Sequence, residues 1–194
     1  FFHSLINETK HLDYIFLPHL KAIPNRNGQM GSQVCPFVQG EPFYLQSTFQ
    51  DTLRSLQKKG TKVLAPFIDL KDGIASIQPV LVKIAYQMGI LNKEAEQAFA
   101  VAVENQRQCM AEMKSIGRRV ITELETDPEE TAVVLFARPY NGFAEEANMG
   151  IPHKFASRGV MIIPFDFLPF SDEKAKRHMY WGMGQMILKA ARFV

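Results

Sequence analysis

"YLQSTFQDTLRSLQKKGTKVLAP", residues 44–66, changes its periodicity at a single glycine. Before Gly60, apolar residues recur at Leu45, Phe49, Leu53 and Leu56, steps of three and four that share one face of a helix over about Tyr44 to Lys59. Gly60 is the residue type that stops helices. Thr61 to Pro66 is then a short apolar run closed by proline, the signature of a buried strand. Upstream, Tyr14-Ile15-Phe16-Leu17 is another such run, ending at Pro18, and a polar, glycine-bearing loop follows from Pro24 to Gly31. Strand, loop, helix and strand in that order predict parallel pairing, because strands that run the same way need a crossover between them.

Downstream, Ile74 to Met88 reads as a helix with Pro79 near its start. Asn92 to Glu125 reads as one long helix, with a stripe at Ala95, Phe99, Ala102, Cys109, Met113, Ile116, Val120 and Leu124 broken only by Gln106. At 1.5 Å per residue it would run to about 50 Å, longer than a small domain is wide, so it is expected to join two lobes, with a bend at Gly117. The α/β rhythm then returns. Ala132 to Ala137 is a strand, Ile151 to Arg158 a short helix with Pro152 in its first turn, and Val160 to Pro164 a strand. After a loop rich in phenylalanine and proline, Asp172 to Phe193 is expected as a final helix capped by Ser171 or Asp172. The fold class is therefore α/β: two small Rossmann-like lobes with parallel strands, joined by a long helical segment. Residues 1–70 form a partial lobe carrying Cys35, 71–126 the helical connection, and 127–194 a second lobe truncated at its C-terminal end.

The 194 residues, 46% hydrophobic and 22% charged, have the balance of a soluble globular protein. A net charge of +2 is too small to favour nucleic acid or an anionic membrane as partner. No apolar run approaches the roughly 20 residues that span a bilayer. The start at Phe1-Phe2-His3-Ser4, with no signal pattern, and the stop at Phe193-Val194 read as a fragment of a larger chain. Two cysteines cannot build a disulfide framework and suit a reducing compartment, the cytoplasm. There is no Walker-type loop and no dinucleotide glycine fingerprint.

The turn "ARPYNGFAEEANMGIP", residues 137–152, stands at the carboxyl end of a strand, where open α/β sheets collect ligands. Arg138 offers a planar cation with several donors, Tyr140 and Asn141 add directional hydrogen bonds, and Asn148 suits a cap for the helix that Pro152 begins. The alternative is a brace in which Arg138 pairs with Glu145 or Glu146. Cys35, followed by Pro36 between strand and helix, allows three readings: a core residue, a nucleophile served by His3, His11 or His19, or one metal ligand among several. Cys109 on the long stripe reads as core. His153 and His178 read as surface or capping residues on helices.

"LDYIFLP" (12–18), "CPFVQGEP" (35–42), "RPYN" (138–141), "NMGIPHKFASRGVMII" (148–163) and "HMYWGMGQMILKAARFV" (178–194) together resemble the activase-related region of 2-hydroxyacyl-CoA dehydratase activators, itself related to the 2-hydroxyacyl-CoA dehydratase and benzoyl-CoA reductase subunits. The similarity covers nearly the whole chain, and its blocks keep their order. It implies a fragment, inactive alone, of a protein that houses an iron–sulfur cluster and takes part in ATP-driven, low-potential electron transfer to chemistry on a CoA thioester. It makes Cys35 a cluster-ligand position, with further cysteines outside the fragment and no cluster held by the fragment itself. Asn141 stands where this group often carries histidine, and His19 where some relatives carry cysteine or another residue. The implied partners are the rest of the chain, including an ATPase activase domain, and a dehydratase-like subunit. The competing expectation is a non-catalytic α/β binding or scaffold module for an anionic ligand or a protein partner.

Overall fold

The computed structural model describes residues 2–8, 11–24, 32–127 and 129–194. These fall into two compact units, one up to Ala100 and the other from Val101 onward. The helical connection expected over 71–126 is thus shared between them.

The first unit contains α1 (Phe2–Glu8), β1 (Tyr14–Phe16), β2 (His19–Ala22), α2 (Pro36–Thr48), α3 (Gln50–Lys58), β3 (Lys62–Leu64), β4 (Phe67–Asp69), a 3-10 turn (Ile74–Ile77) and α4 (Gln78–Gln87). β1 pairs with β3 and β2 with β4, both in parallel, as the sequence predicts for the first and third. Tyr14 lies opposite Lys62, Phe16 opposite Leu64 and His19 opposite Phe67, one constant register. The two pairs are therefore a single ribbon, interrupted where Pro18 and Pro66 come side by side without N–H groups to offer. Backbone amides carry the ladder across the gap: Leu17 donates to the Leu64 carbonyl and His19 to the Pro66 carbonyl, each at 2.8 Å. The prolines that mark strand ends in the sequence are pauses, and β2 and β4 resume after them.

The helix expected from Tyr44 starts earlier, because Pro36 occupies its first turn, and it breaks at Phe49 into α2 and α3. Its predicted face is the one that packs: Ile6, Ile15, Leu17 and Leu53 are buried, with Leu45, Phe49, Leu56 and Val63 against them. Gly60, at φ 101°, turns the chain from α3 into β3. The loop expected from Pro24 to Gly31 lies, after Pro24, outside the described residues.

α5 (Asn92–Thr126) is one helix, as predicted, beginning in the first unit and ending in the second. Its stripe is buried at Ala95 and half-buried at Met113, Ile116, Val120 and Leu124, but every residue from Glu104 to Glu112 is exposed. Cys109 is therefore exposed, contrary to the core reading. The core of the second unit reaches α5 through Val120, Ile121 and Leu124, more than two turns further along, and spacing alone does not say how far along a helix its partner extends. The helix is continuous through Gly117.

The second unit continues with β5 (Ala132–Leu135), α6 (Pro139–Gly142), α7 (Glu145–Asn148), α8 (Ile151–Ala156), β6 (Met161–Pro164), 3-10 turns at Phe165–Phe167 and Phe170–Asp172, and α9 (Gly182–Phe193). β5 and β6 are parallel, Ala132 opposite Met161 and Leu135 opposite Pro164. Ile163, Phe165, Leu168, Phe170 and Ala190 make the core. The final helix is shorter than predicted: residues 173–181 are irregular, and His178 sits in the left-handed region at φ 66°, so it is not on a helix. Side chains of α9 hold that strap. Gln185 accepts from the Lys176 amide at 2.8 Å and donates to the carbonyls of Lys176 and Met179 at 2.7 and 2.9 Å. Lys189 donates to the Ser171 carbonyl and Arg192 to that of Lys174, at 2.9 and 2.8 Å. Residues 185, 189 and 192 share one helix face, so side chains satisfy carbonyls that a longer helix would have paired internally. Among the described residues, no helix is long and apolar enough to cross a membrane.

Candidate functional site

In the first unit, the chain before α2 runs antiparallel beside β2. Ile23 donates to the Ser32 carbonyl at 2.8 Å, Val34 to the Lys21 carbonyl at 3.0 Å, and Gln33 faces Ala22. Cys35 follows Val34 directly, where this antiparallel stretch ends and α2 begins. Cys35 then caps α2 with extended backbone (φ −51°, ψ 137°), its carbonyl accepting from the Gln39 amide at 3.1 Å. The residue is half-buried. Its place as the N-cap of a 13-residue helix sets the residue at an end whose backbone N–H groups favour negative charge. Pro36 in the first turn loses no helical hydrogen bond.

His19 is buried, and its Nδ1 is enclosed without a hydrogen-bond partner. Its ring lies 4.0 Å, centroid to centroid, from that of Phe43 on α2. The two border a cavity of about 350 Å³ whose walls include Lys21, Pro36, Gly40 and Phe67. Lys21 forms an ion pair with Asp69 at 2.8 Å across the β2–β4 pair. The hydrogen bond from Lys21 holds the Asp69 carboxyl below its ordinary value of 3.8, and the Lys71 amide adds to the effect against partial burial. Of the histidines proposed to serve Cys35, His19 is on the strand beside it; His11 is bonded to Asp13 at 2.9 Å, and His3 lies on α1.

In the second unit, Arg138 caps α6 just beyond the carboxyl end of β5, with Pro139 in the first turn. Its guanidinium donates to the Tyr140 hydroxyl at 2.9 Å, joining the two predicted residues in one exposed polar group. Asn141 is exposed, and its amide donates to the Arg138 carbonyl at 2.8 Å. Asn148 shapes the turn. Its Nδ2 donates to the Gly142 carbonyl at 3.0 Å, and its Oδ1 accepts from the Gly150 amide at 2.7 Å. The residue that caps α8 is Gly150, left-handed at φ 67°. Cys35 and Arg138 belong to different units. Among the described residues, no three His, Cys, Asp or Glu side chains gather as a metal site.

Sequence reasoning weighed Cys35 and His19 but not the cavity beside them. Its signal was the spacing of Pro36, Gln39, Gly40 and Phe43, one face of a helix over two turns.

Short parallel strand pairs joined by helical crossovers, in each of two units, define a small α/β fold. Over residues 1–168 the chain matches the family described as CoA enzyme activase uncharacterised domain (DUF2229), and it belongs to that family. This agrees with the resemblance to the activase-related region of dehydratase activators. No curated protein and no solved structure matches the chain.

Proposed function

We propose that this chain is the cofactor-housing module of a CoA enzyme activase, in which Cys35 supplies one thiolate to an iron–sulfur cluster. The observation that carries the reading is the position of Cys35: half-buried, at the start of α2, where the chain leaves its antiparallel run beside β2. Clusters are held by several thiolates, and Cys109, the other cysteine, is exposed and in the other unit, so the remaining ligands come from elsewhere in a longer protein or from its partner. Such a cluster, when bound, would supply low-potential electrons; the contribution of this chain would be to hold one ligand, Cys35, at a helix N-terminus. ATP hydrolysis is assigned in this reading to a separate activase domain, the partner that the resemblance to dehydratase activators implies. The recipient is a dehydratase-like enzyme acting on a CoA thioester.

The paired Arg138 and Tyr140 support a second role, as an α/β binding module that grips an anionic ligand at the end of β5. One experiment addresses both roles: anaerobic reconstitution of the full-length protein carrying Cys35→Ser or Arg138→Ala. Cys35→Ser should lower bound iron and sulfide and change the visible absorption, with circular dichroism unchanged. Arg138→Ala should leave the absorption intact and weaken activation of the partner about tenfold or more, the worth of one charge-assisted hydrogen bond. An unaltered iron content and spectrum in Cys35→Ser would remove the cluster assignment.

A further inference from the structure

We propose that the cavity between α2 and β2 is a binding site for a small, neutral, planar aromatic compound carrying a hydroxyl group. Pro36, Gln39, Gly40 and Phe43 line it from α2, His19, Leu20 and Lys21 from β2, and Phe67 from β4.

Gly40 is the first reason. It lies in the interior of a 13-residue helix, where glycine is less stable than alanine, and its φ is not among the positive ones. No backbone requirement calls for glycine there. A Cβ added to it would meet no atom within 4 Å, so the space beside it is open and a larger side chain would project into it. His19 is the second. It is only 7% exposed, and its Nδ1 is enclosed without a partner, whereas buried polar atoms in folded proteins are nearly always paired.

The walls give the chemistry. Leu20, Pro36, Phe43 and Phe67 are apolar, and the two phenylalanine rings are 64% and 57% exposed, surface that a flat ring would cover. The polar groups beside them are committed: the Lys21 ammonium to Asp69 at 2.8 Å, and the Gln39 amide nitrogen to the Val34 carbonyl at 2.8 Å. With that cation neutralised, the cavity does not call for an anion. It offers a ring nitrogen able to accept a proton donor. The Phe43 ring lies 4.0 Å from the imidazole and is itself exposed, and the proposal requires it to turn outward so that a hydroxyl reaches Nδ1. None of this depends on the role of Cys35.

Phenol is the probe, and toluene, which keeps the ring but lacks the hydroxyl, is its control. In NMR titrations of the 194-residue chain, phenol should shift the signals of His19, Phe43 and Phe67 saturably, with a dissociation constant of about 1 mM for so few atoms. Toluene should bind about tenfold more weakly. Gly40→Leu should fill the cavity and weaken phenol binding about tenfold or more, with circular dichroism intact and the melting point not lowered. His19→Phe should abolish the preference for phenol over toluene. Shifts that scatter over the surface or fail to saturate would overturn the proposal, as would unchanged phenol affinity in Gly40→Leu.

Discussion

At the scale of residues, the Lys21–Asp69 pair is the charge interaction whose effect on stability depends on pH. Lys21 lowers the folded-state pKa of Asp69, so the pair's stabilisation is fully present above the unfolded value and is lost as pH falls through the folded one. Both side chains are partly exposed, which limits the contribution to about 0.2–1 kcal/mol. Asp69→Asn should therefore be slightly less stable than the parent in urea at neutral pH, and that difference should shrink below pH about 4. A difference of the same size at pH 3 would mean that the carboxylate is held for its shape and not its charge. Glu104 is also perturbed, to about 2, by hydrogen bonds from Arg107 and Gln108, but it stands on the exposed stretch of α5 where solvent screens it.

At the scale of elements, the same substitution in two helices should have opposite effects. In α5, a Cβ on Gly117 would lie 2.1 Å from the Phe167 carbonyl oxygen, which is backbone and cannot turn aside. The same turn of α5 holds Lys114, whose ammonium donates to the carbonyls of Asp166 and Leu168 at 2.6 Å each and lies 4.1 Å from the Phe170 ring centroid. Gly117→Ala must push this seam apart, and overpacking typically costs about 1–3 kcal/mol, more than the gain of roughly 1 kcal/mol in helix propensity. In α2, Gly40→Ala meets nothing and should stabilise by up to about 1 kcal/mol. Chemical denaturation of the two variants checks the contrast; equal shifts would refute it. The strap at 173–181 teaches a related lesson. Its charged residues suit a helix by composition, but the buried Gln185 binds the strap's backbone from α9 and fixes it as an irregular segment.

At the scale of the molecule, each unit has its own core among the described residues: Ile6, Ile15, Leu17 and Leu53 in one, Ile163, Phe165, Leu168, Phe170 and Ala190 in the other. Truncating a buried leucine to alanine costs about 2–5 kcal/mol. Leu168→Ala should therefore reduce amide-exchange protection mainly in β5, β6 and α9, and Leu53→Ala mainly in β1, β3 and α3. Protection lost evenly across both units by either change would show that they unfold as one.

The α/β class, the parallel pairing of the four predicted strand segments and the single helix α5 were legible in the sequence, because each rests on local periodicity and on where glycine and proline fall. The Cys35 and Arg138 corners were legible for the same reason: strand ends and helix starts are local events. Other features depended on residues far apart in the chain. Pro18 and Pro66 interrupt one ribbon together only because their strands lie in register. Cys109 is exposed because the core of its unit stops short of it along α5. Asn148 binds backbone on both sides of its turn, and Gln185 replaces part of a predicted helix with a strap. The cavity at His19 needs β2, β4 and α2 brought together around a glycine. Periodicity sets which face of an element is apolar, but which neighbour covers that face, and how far along it, is decided by packing between distant segments.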